Sequence, residues 1–301
     1  MIGLFEKIPT IESIKDFYSI DNLNSYTDRP YSWSNTVCTL DGVINLNEDL
    51  TSIGGGIALK HVPQLGYLSE ADFRILNAGW AFSDAVLITG KILRDEIDAI
   101  CKIEFEDLTN LRLQIGKKTL QPLRLVLSSS GHIFNIRQDS TSIDSKFFEN
   151  VTSKIIILTT KKGSDYLSTL RLDYKFNFEW NSNVEIVIFD DDQLDNGKES
   201  IDLRKMLKLL KIRFKIDYLD VSSGGTVIQQ FRDLNVVDEL RMTISPQIVG
   251  IKNSLGVDRP TIFPSTCKSY NCNNSPLLTW KGIRLLGERM IFLRGIYQYR
   301  P

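Results

Sequence analysis

The residues best suited to chemistry are a pair of glycines between an apolar run and a helical run, in VSSGGTVIQQFRDLN at 221–235. A helix start leaves backbone N–H groups unpaired and carries partial positive charge, and glycines let a phosphate approach the backbone. Gly224, Gly225 and Thr226 therefore form a candidate phosphate-binding turn. Glycine serves turn geometry alone at least as often, so these residues by themselves leave both interpretations open.

The other sequence signals for a catalytic site are weak. The GxGxxG fingerprint, the Walker phosphate loop and the GxSxG nucleophile elbow are all absent. The two histidines, His61 and His132, are isolated, and the four cysteines include no CxxC pair, so no metal site is predicted. If the chain is an enzyme, we expect a bound cofactor to carry the chemistry.

The composition bounds the class of protein and its partners. Hydrophobic residues make up 42% of the chain and charged residues 24%, which is typical of a globular protein with a substantial core. The 36 basic and 37 acidic side chains leave a net charge of −1, so nucleic acid is not an expected partner. Neither a secretion signal nor an apolar run of membrane-spanning length is recognisable, so we expect a cytoplasmic protein that does not bind membranes.

Strand and helix signals alternate along most of the chain, and these elements must position the glycine turn. Strands are predicted at 31–40, 84–90, 123–131, 154–160, 184–189, 216–221 and 239–249, with two more at the C-terminus joined at Gly287–Glu288. Helices are predicted near 10–20, at 69–82 with Ser69 as cap, at 201–214 and at 226–235. The alternation predicts one α/β domain with a mixed sheet, formed by 29–301, after an N-terminal extension at 1–28.

One of these segments allows two interpretations, and another has a clear alternating pattern. The helix at 201–214 is basic and amphipathic, as in helices that lie on membranes, but its place between two strands favours a crossover helix with a solvated lysine face. In the strand that begins at Glu239, apolar Leu240 and Met242 alternate with polar Arg241 and Thr243.

Several stretches together resemble the pyrimidine reductases of riboflavin biosynthesis, including the reductase domain of the bifunctional deaminase-reductase. RPYSWSNTVCTLDG resembles the family's opening RPY…SLDG, and DAVLITGKILRDE resembles its second block. The strongest match is VSSGGTVIQQFRDLNVVDELRMTISPQIVG, which resembles EGGxTLxxxFLxxxLVDELxLTxxPxxxG. The resemblance extends over residues 29–299, with 131–183 poorly matched.

The resemblance implies a dihydrofolate-reductase-like fold, which is a three-layer αβα domain with a mixed, mostly parallel central sheet. It also implies NADPH as cofactor, a homodimer, and hydride transfer that reduces the ribosylamino side chain of a phosphorylated diaminopyrimidine. By position, the implied cofactor-binding residues are Thr89, Gly90, Gly224, Gly225 and Thr226. The implied substrate-side residues are Thr39 and Asp41, which line the pocket, and Asp95, which orients the substrate or assists proton delivery.

Three further substrate-side positions depart from the family. Lys91 stands where the family usually has threonine, Gly79 where it has a substrate-phosphate arginine, and Ser223 where it has a glutamate. We expect Lys91 and Ser223 to face the substrate. The alternative is a non-catalytic or repurposed protein of the same fold with a different small-molecule ligand.

The cofactor's 2′-phosphate has two candidate partners in the sequence, the pair Lys161–Lys162 and Arg124. No spacing argument selects between them.

Overall fold

The fold is that of a computed structural model, which describes residues 2–5, 9–18, 26–46, 66–96, 99–136, 142–143, 145–149, 153–176, 180, 183–190, 193–195, 199–264, 270–271, 273–287 and 289–299. Its strands are β1 (Ile2–Phe5), β2 (Tyr31–Thr39), β3 (Ala85–Thr89), β4 (Leu123–Leu127), β5 (Ser142–Ile143), β6 (Ile155–Thr160), β7 (Lys175–Phe176), β8 (Val184–Phe189), β9 (Tyr218–Val221), β10 (Glu239–Ser245), β11 (Leu277–Leu286) and β12 (Met290–Gln298). Its helices are α1 (Ile11–Tyr18), α2 (Tyr67–Phe82), α3 (Gly90–Asp95), α4 (Glu106–Gln114), α5 (Lys161–Asp173), α6 (Leu203–Phe214) and α7 (Gly225–Asp233).

Ten of the described strands form one sheet, in the order β1-β11-β12-β10-β2-β9-β3-β4-β6-β8. Strands β10, β2, β9, β3, β4, β6 and β8 all run parallel, and β12 is antiparallel to both of its neighbours. The carboxyl ends of the parallel strands therefore lie at one edge of the sheet. This is the edge at which ligands bind in open α/β sheets.

Helices cover both faces of the sheet and create two hydrophobic cores. One core packs α1, α2 and α4 against side chains such as Trp33, Val86 and Ile157. The other packs α6 and α7 against Leu87, Leu125 and other side chains of the opposite face. The mixed, mostly parallel sheet between two helical layers confirms the fold class predicted from the sequence.

The N-terminal segment adds to the same fold. Strand β1 pairs in parallel with residues Ile283–Leu286 of β11. Helix α1 buries Ile14, Phe17 and Tyr18 against the first core. The division of the chain at residue 28 stays a prediction.

The crossover interpretation of 201–214 is confirmed. Helix α6 lies between β8 and β9 along the chain, its first amides are capped by the Asp202 carboxylate, and it buries Leu203, Met206, Leu207 and Leu210. In the part of the chain that the structure describes, no helix is long and apolar enough to cross a membrane.

One expectation about local structure was wrong, and two features were not predicted. Helix α2 begins at Tyr67 with Gly66 at its N-cap, so Ser69 lies inside the first turn and its amide donates to the Gly66 carbonyl. Helix α5 was missed within 131–183, because its only buried side chains of any size are Leu167 and Leu170. The polar residues of β10 do not face solvent, since α1 and α2 cover that face and Arg241 is fully buried.

Candidate functional site

The early end of β9 opens a notch at the carboxyl edge of the sheet. Val221, the last residue of β9, is level with Ser34 of β2 on one side and with Leu87 of β3 on the other. Strand β2 continues to Thr39 and β3 to Thr89. At about 3.3 Å per residue, β2 extends roughly 16 Å beyond the end of β9 and β3 roughly 7 Å. The glycine turn and the start of α7 lie between these two walls.

The two glycines of the turn have different surroundings. A Cβ atom added at Gly224 would meet nothing within 4 Å, whereas one added at Gly225 would overlap the carbonyl oxygen of Thr261. In the described residues no side chain caps α7, so the N–H groups of Gly225 and Thr226 remain available at its start. Gly225 is thus required for close packing, and Gly224 leaves room for a ligand to approach the backbone.

The turn is tied to β3, which also ends in predicted site residues. The buried Ser223 hydroxyl donates to the Leu87 carbonyl at 3.1 Å. At the end of β3 the Thr89 hydroxyl caps α3 by accepting from the Ile92 amide. A Cβ added at Gly90 would lie 2.6 Å from the His132 carbonyl oxygen, so Gly90 has a packing role. Ser223 therefore fixes the turn through its hydroxyl.

On the opposite wall, at the end of β2, Thr39 and Asp41 hold the loop at Val249–Gly250 in place and form what we call the Thr39–Asp41 clamp. The Thr39 hydroxyl donates to Oδ1 of Asp41 at 2.6 Å, and Oδ2 of Asp41 accepts from the amides of Val249 and Gly250 at 3.1 and 2.7 Å. Burial opposes ionisation of Asp41, but these hydrogen bonds outweigh it and hold its pKa below the usual value. The pair is ordered by its own contacts, and its predicted contact with substrate stays a prediction.

Lys91 and Asp95 form an ion pair on α3. The Lys91 ammonium lies 2.5 Å from Oδ2 of Asp95, one helical turn further along. The Lys91 side chain is 68% exposed and that of Asp95 is 28% exposed. Both groups are accessible beside the end of β3, and each is the partner of the other.

The floor of the notch holds a buried carboxylate that the sequence did not single out. Oδ2 of Asp220 accepts from Trp33 Nε1 at 2.8 Å and from Asn35 Nδ2 at 3.1 Å. A Cβ added at Gly79 would overlap the Asn35 amide and lie 2.8 Å from Oδ2 of Asp220. The space into which a side chain at residue 79 would extend is therefore filled by this polar pair.

The structure separates the two candidates for a 2′-phosphate. The guanidinium of Arg124 lies at the amino end of β4, where it is buried and donates to the carbonyls of Ile100 and Phe147. Lys161 and Lys162 begin α5, directly after β6, at the carboxyl edge of the sheet, and both ammonium groups are exposed. Only the lysine pair lies on the same edge as the glycine turn.

The remaining described groups offer little further chemistry. Arg74, the arginine nearest to Gly79 in the sequence, is buried in an ion pair with Asp107 and also donates to the Pro9 carbonyl. Within the described ranges, no group of three or more His, Cys, Asp or Glu could hold a metal ion.

A second buried carboxylate, Asp72 of α2, is expected to make the stability of the protein depend on pH. Burial raises the pKa of Asp72 to about 6, and the hydrogen bond with Thr243 only partly offsets this. In the unfolded chain this carboxyl ionises near pH 4, so we expect the free energy of unfolding to fall by roughly 3 kcal/mol as pH rises from about 4 to about 6. We expect the Asp72→Asn variant to lack this loss, so its stability relative to wild type increases between pH 4 and 7. Urea unfolding of both proteins at several pH values measures this difference in stability. If the free energies of unfolding of wild type and Asp72→Asn changed in parallel with pH, the prediction would be contradicted.

The sequence carried weak signals for what it missed. Asp220 lies between the apolar Leu219 and Val221 in the strand signal IDYLDV, and Asn35 lies on the buried strand that precedes the TLDG block. A polar residue in a strand buried on both faces requires a hydrogen-bonding partner. That requirement indicates a polar pair somewhere in the sheet, but only the register of β2 and β9 shows that these two side chains meet.

Similar proteins have been described. The chain is 26% identical over 235 residues to the 2,5-diamino-6-ribosylamino-4(3H)-pyrimidinone 5′-phosphate reductase of Archaeoglobus fulgidus, a match that covers 78% of this chain and 86% of the relative. Among solved structures, a pyrimidine reductase-like protein from Corynebacterium diphtheriae superimposes with a TM-score of 0.64 at 17% identity, covering 95% of this chain and 99% of that one. The Saccharomyces cerevisiae riboflavin biosynthesis reductase Rib7 gives a TM-score of 0.54 at 16% identity, covering 96% and 99%.

Some of the solved relatives are longer than this chain. Acinetobacter baumannii RibD matches with a TM-score of 0.57 at 13% identity over 90% of this chain, which spans 59% of the RibD chain. These likenesses confirm the dihydrofolate-reductase-like fold implied by the resemblance.

The family model for the RibD C-terminal domain matches residues 30–292. The chain belongs to the RibD C-terminal domain family.

Proposed function

We propose that the chain is an NADPH-dependent oxidoreductase that reduces the ribosylamino side chain of a diaminopyrimidine 5′-phosphate to a ribitylamino chain. Family membership and the activity named for the Archaeoglobus relative support the reaction. The observation that carries the proposal is the open backbone at Gly224, at the start of α7, inside the notch. Homodimeric assembly and a cytoplasmic location belong to the same proposal.

The residues of the notch fit the cofactor. The amides of Gly225 and Thr226 would hold its diphosphate, because they lie at the positive end of α7 and Gly224 adds no side chain in front of them. Lys161 and Lys162 lie at the same edge of the sheet and would meet the 2′-phosphate. The bound cofactor supplies the hydride.

The walls of the notch would position the substrate. The Thr39–Asp41 clamp fixes the end of β2 against the loop at Val249–Gly250. Ser223 holds the turn to β3. The Asp95 carboxylate and its partner Lys91 are accessible groups for orienting the substrate and for proton delivery.

Replacing Gly224 with alanine tests the cofactor site. Its φ of −66° is compatible with alanine and the new methyl group meets open space, so we expect stability to be unchanged. The methyl group would stand where the diphosphate approaches, so we expect NADPH affinity to fall about tenfold or more, which is about 1.4 kcal/mol. Fluorescence titration with NADPH measures the affinity.

A contrasting variant separates binding from folding. Gly225→Ala is expected to lose stability, because its Cβ would overlap the Thr261 carbonyl oxygen. Unchanged NADPH affinity in the folded Gly224→Ala variant would contradict the assigned cofactor site. The reaction itself is tested by adding the diaminopyrimidine phosphate and NADPH to the pure protein. Absence of NADPH oxidation would overturn the proposed reaction.

A further inference from the structure

Asp220 is a buried carboxylate that the proposed reaction does not use. Its exposed fraction is 0%, and it lies two residues before Ser222 at the floor of the notch. Oδ2 accepts from Trp33 Nε1 and Asn35 Nδ2, and Oδ1 accepts from the Ser222 hydroxyl at 2.6 Å. Three hydrogen bonds to one carboxylate offset part of the cost of burying its charge.

These contacts connect the glycine turn to helix α2. The Ser222 hydroxyl also accepts from Trp80 Nε1 at 2.9 Å, and Asn35 Nδ2 also donates to the Leu76 carbonyl at 3.3 Å. Ser222 is followed by Ser223, which is bonded to β3, and then by Gly224. Asp220 thus joins β2, β9 and α2 directly beneath the turn.

Only one of the two carboxylate oxygens of Asp220 can carry a proton in these surroundings. The groups that face Oδ2, Trp33 Nε1 and Asn35 Nδ2, are donors and cannot accept a proton. A proton on Asp220 must therefore lie on Oδ1, facing the Ser222 hydroxyl. The Ser222 hydroxyl would then have to accept a hydrogen bond from Oδ1 and turn its own hydrogen elsewhere, although it already accepts from Trp80 Nε1.

The surroundings place this protonation in an accessible pH range. Burial raises the pKa of Asp220 to about 6, against the lowering effects of its hydrogen bonds and of the Arg241 charge from β10. The other titratable groups that interact with it are Tyr18 of α1 and Cys101 of the segment before α4. Burial raises the pKa of both groups, so neither carries a charge near pH 6.

We propose that Asp220 is a positioning residue for the cofactor turn: its carboxylate holds the Ser222 hydroxyl and thereby fixes the segment from Ser222 to Gly225 in its ligand-binding conformation. When Asp220 is protonated, Ser222 can no longer donate to it and must accept from it instead, and the loss of this charge-assisted hydrogen bond weakens cofactor binding. The identity of the ligand rests on the proposed function, whereas the ordering of the turn does not.

Replacing Asp220 with asparagine tests the proposal, because the amide mimics the protonated acid at every pH. The side-chain carbonyl can take the place of Oδ2, and the NH2 group then faces Ser222. We expect NADP⁺ to bind the variant about five to ten times more weakly than wild type at pH 8, and the difference to shrink to about twofold or less at pH 5. Ser222→Ala should come closer to wild type at pH 5 than at pH 8, but a deficit should remain because Trp80 Nε1 loses its acceptor at every pH. Fluorescence or calorimetric titration gives the ratio of the NADP⁺ affinities of wild type and variant at each pH. If this ratio stays constant with pH, the proposal is overturned.

Asp72→Asn is the matched control, since it removes another buried carboxylate whose pKa is raised to about 6 but whose hydrogen bond goes to Thr243. Its affinity ratio to wild type should not change with pH. Amide hydrogen exchange of the ligand-free protein separates this inference from the proposed function. If wild type bound no NADP⁺, the proposed function would fail, while faster exchange at 222–226 in Asp220→Asn than in Asp72→Asn would still support the positioning role. Equal exchange in the two variants would overturn it.

Discussion

Replacing Glu239 with glutamine is expected to lower the free energy of unfolding by about 3–5 kcal/mol. Glu239 is fully buried on β10 and accepts from Arg241 Nε at 2.5 Å and from Arg294 Nε at 2.8 Å. Despite burial, the two guanidinium groups keep its pKa below the usual value. Glutamine keeps the shape but leaves two buried cations without a counter-charge.

The surroundings of Arg241 explain why the loss should be large. In the part of the chain that the structure describes, Nη1 and Nη2 of Arg241 are buried without a hydrogen-bond partner. The guanidinium lies 3.9 Å from the ring centroid of Trp33 and 4.5 Å from that of Tyr18. Cation–π contacts supply part of its solvation, and Glu239 supplies the hydrogen bond and the charge.

Urea unfolding at neutral pH measures this effect. The matched control is Glu199→Gln, which breaks the exposed pair with Lys162 and should cause no measurable change. If the Glu239→Gln variant lost no more stability than this control, the charge of Glu239 would not be what balances the two arginines.

The sequence predicted the glycine turn and most of the sheet because these depend on local signals. Gly224 and Gly225 lie between a strand and a helix, and both elements have clear periodicity. The notch itself could not be predicted, since it results from β9 ending at the level of Ser34 and Leu87. That register depends on pairing between strands far apart in the chain.

The buried polar groups were missed for a related physical reason. Alternation along β10 is the usual signature of a strand with one solvated face, yet both faces are covered here. Arg241 can be buried because contacts with Glu239, Trp33 and Tyr18 replace the water that would otherwise solvate its guanidinium group. Such replacement requires partners from β2, β10 and α1, and no single segment of sequence shows it.

Introducing a side chain at Gly79 is expected to destabilise the protein and to confer no phosphate binding. The family resemblance places a substrate-phosphate arginine at this position. In this chain a Cβ there would overlap the Asn35 amide and crowd Oδ2 of Asp220. We expect Gly79→Ala to cost about 1–3 kcal/mol, and Gly79→Arg more, because neither neighbour can move without losing its hydrogen bond.

A double-mutant cycle decides whether this crowding is the cause. Asn35→Ala removes the amide that the new Cβ would meet, so Gly79→Ala should cost less in that background than in wild type, by about 1 kcal/mol or more. Strictly additive losses would contradict the geometry. The Gly79→Arg variant tests the functional part of the prediction. If it were folded and bound the phosphorylated substrate more tightly than wild type, the Asn35–Asp220 pair would be displaceable and this wall of the notch would be open to a phosphate.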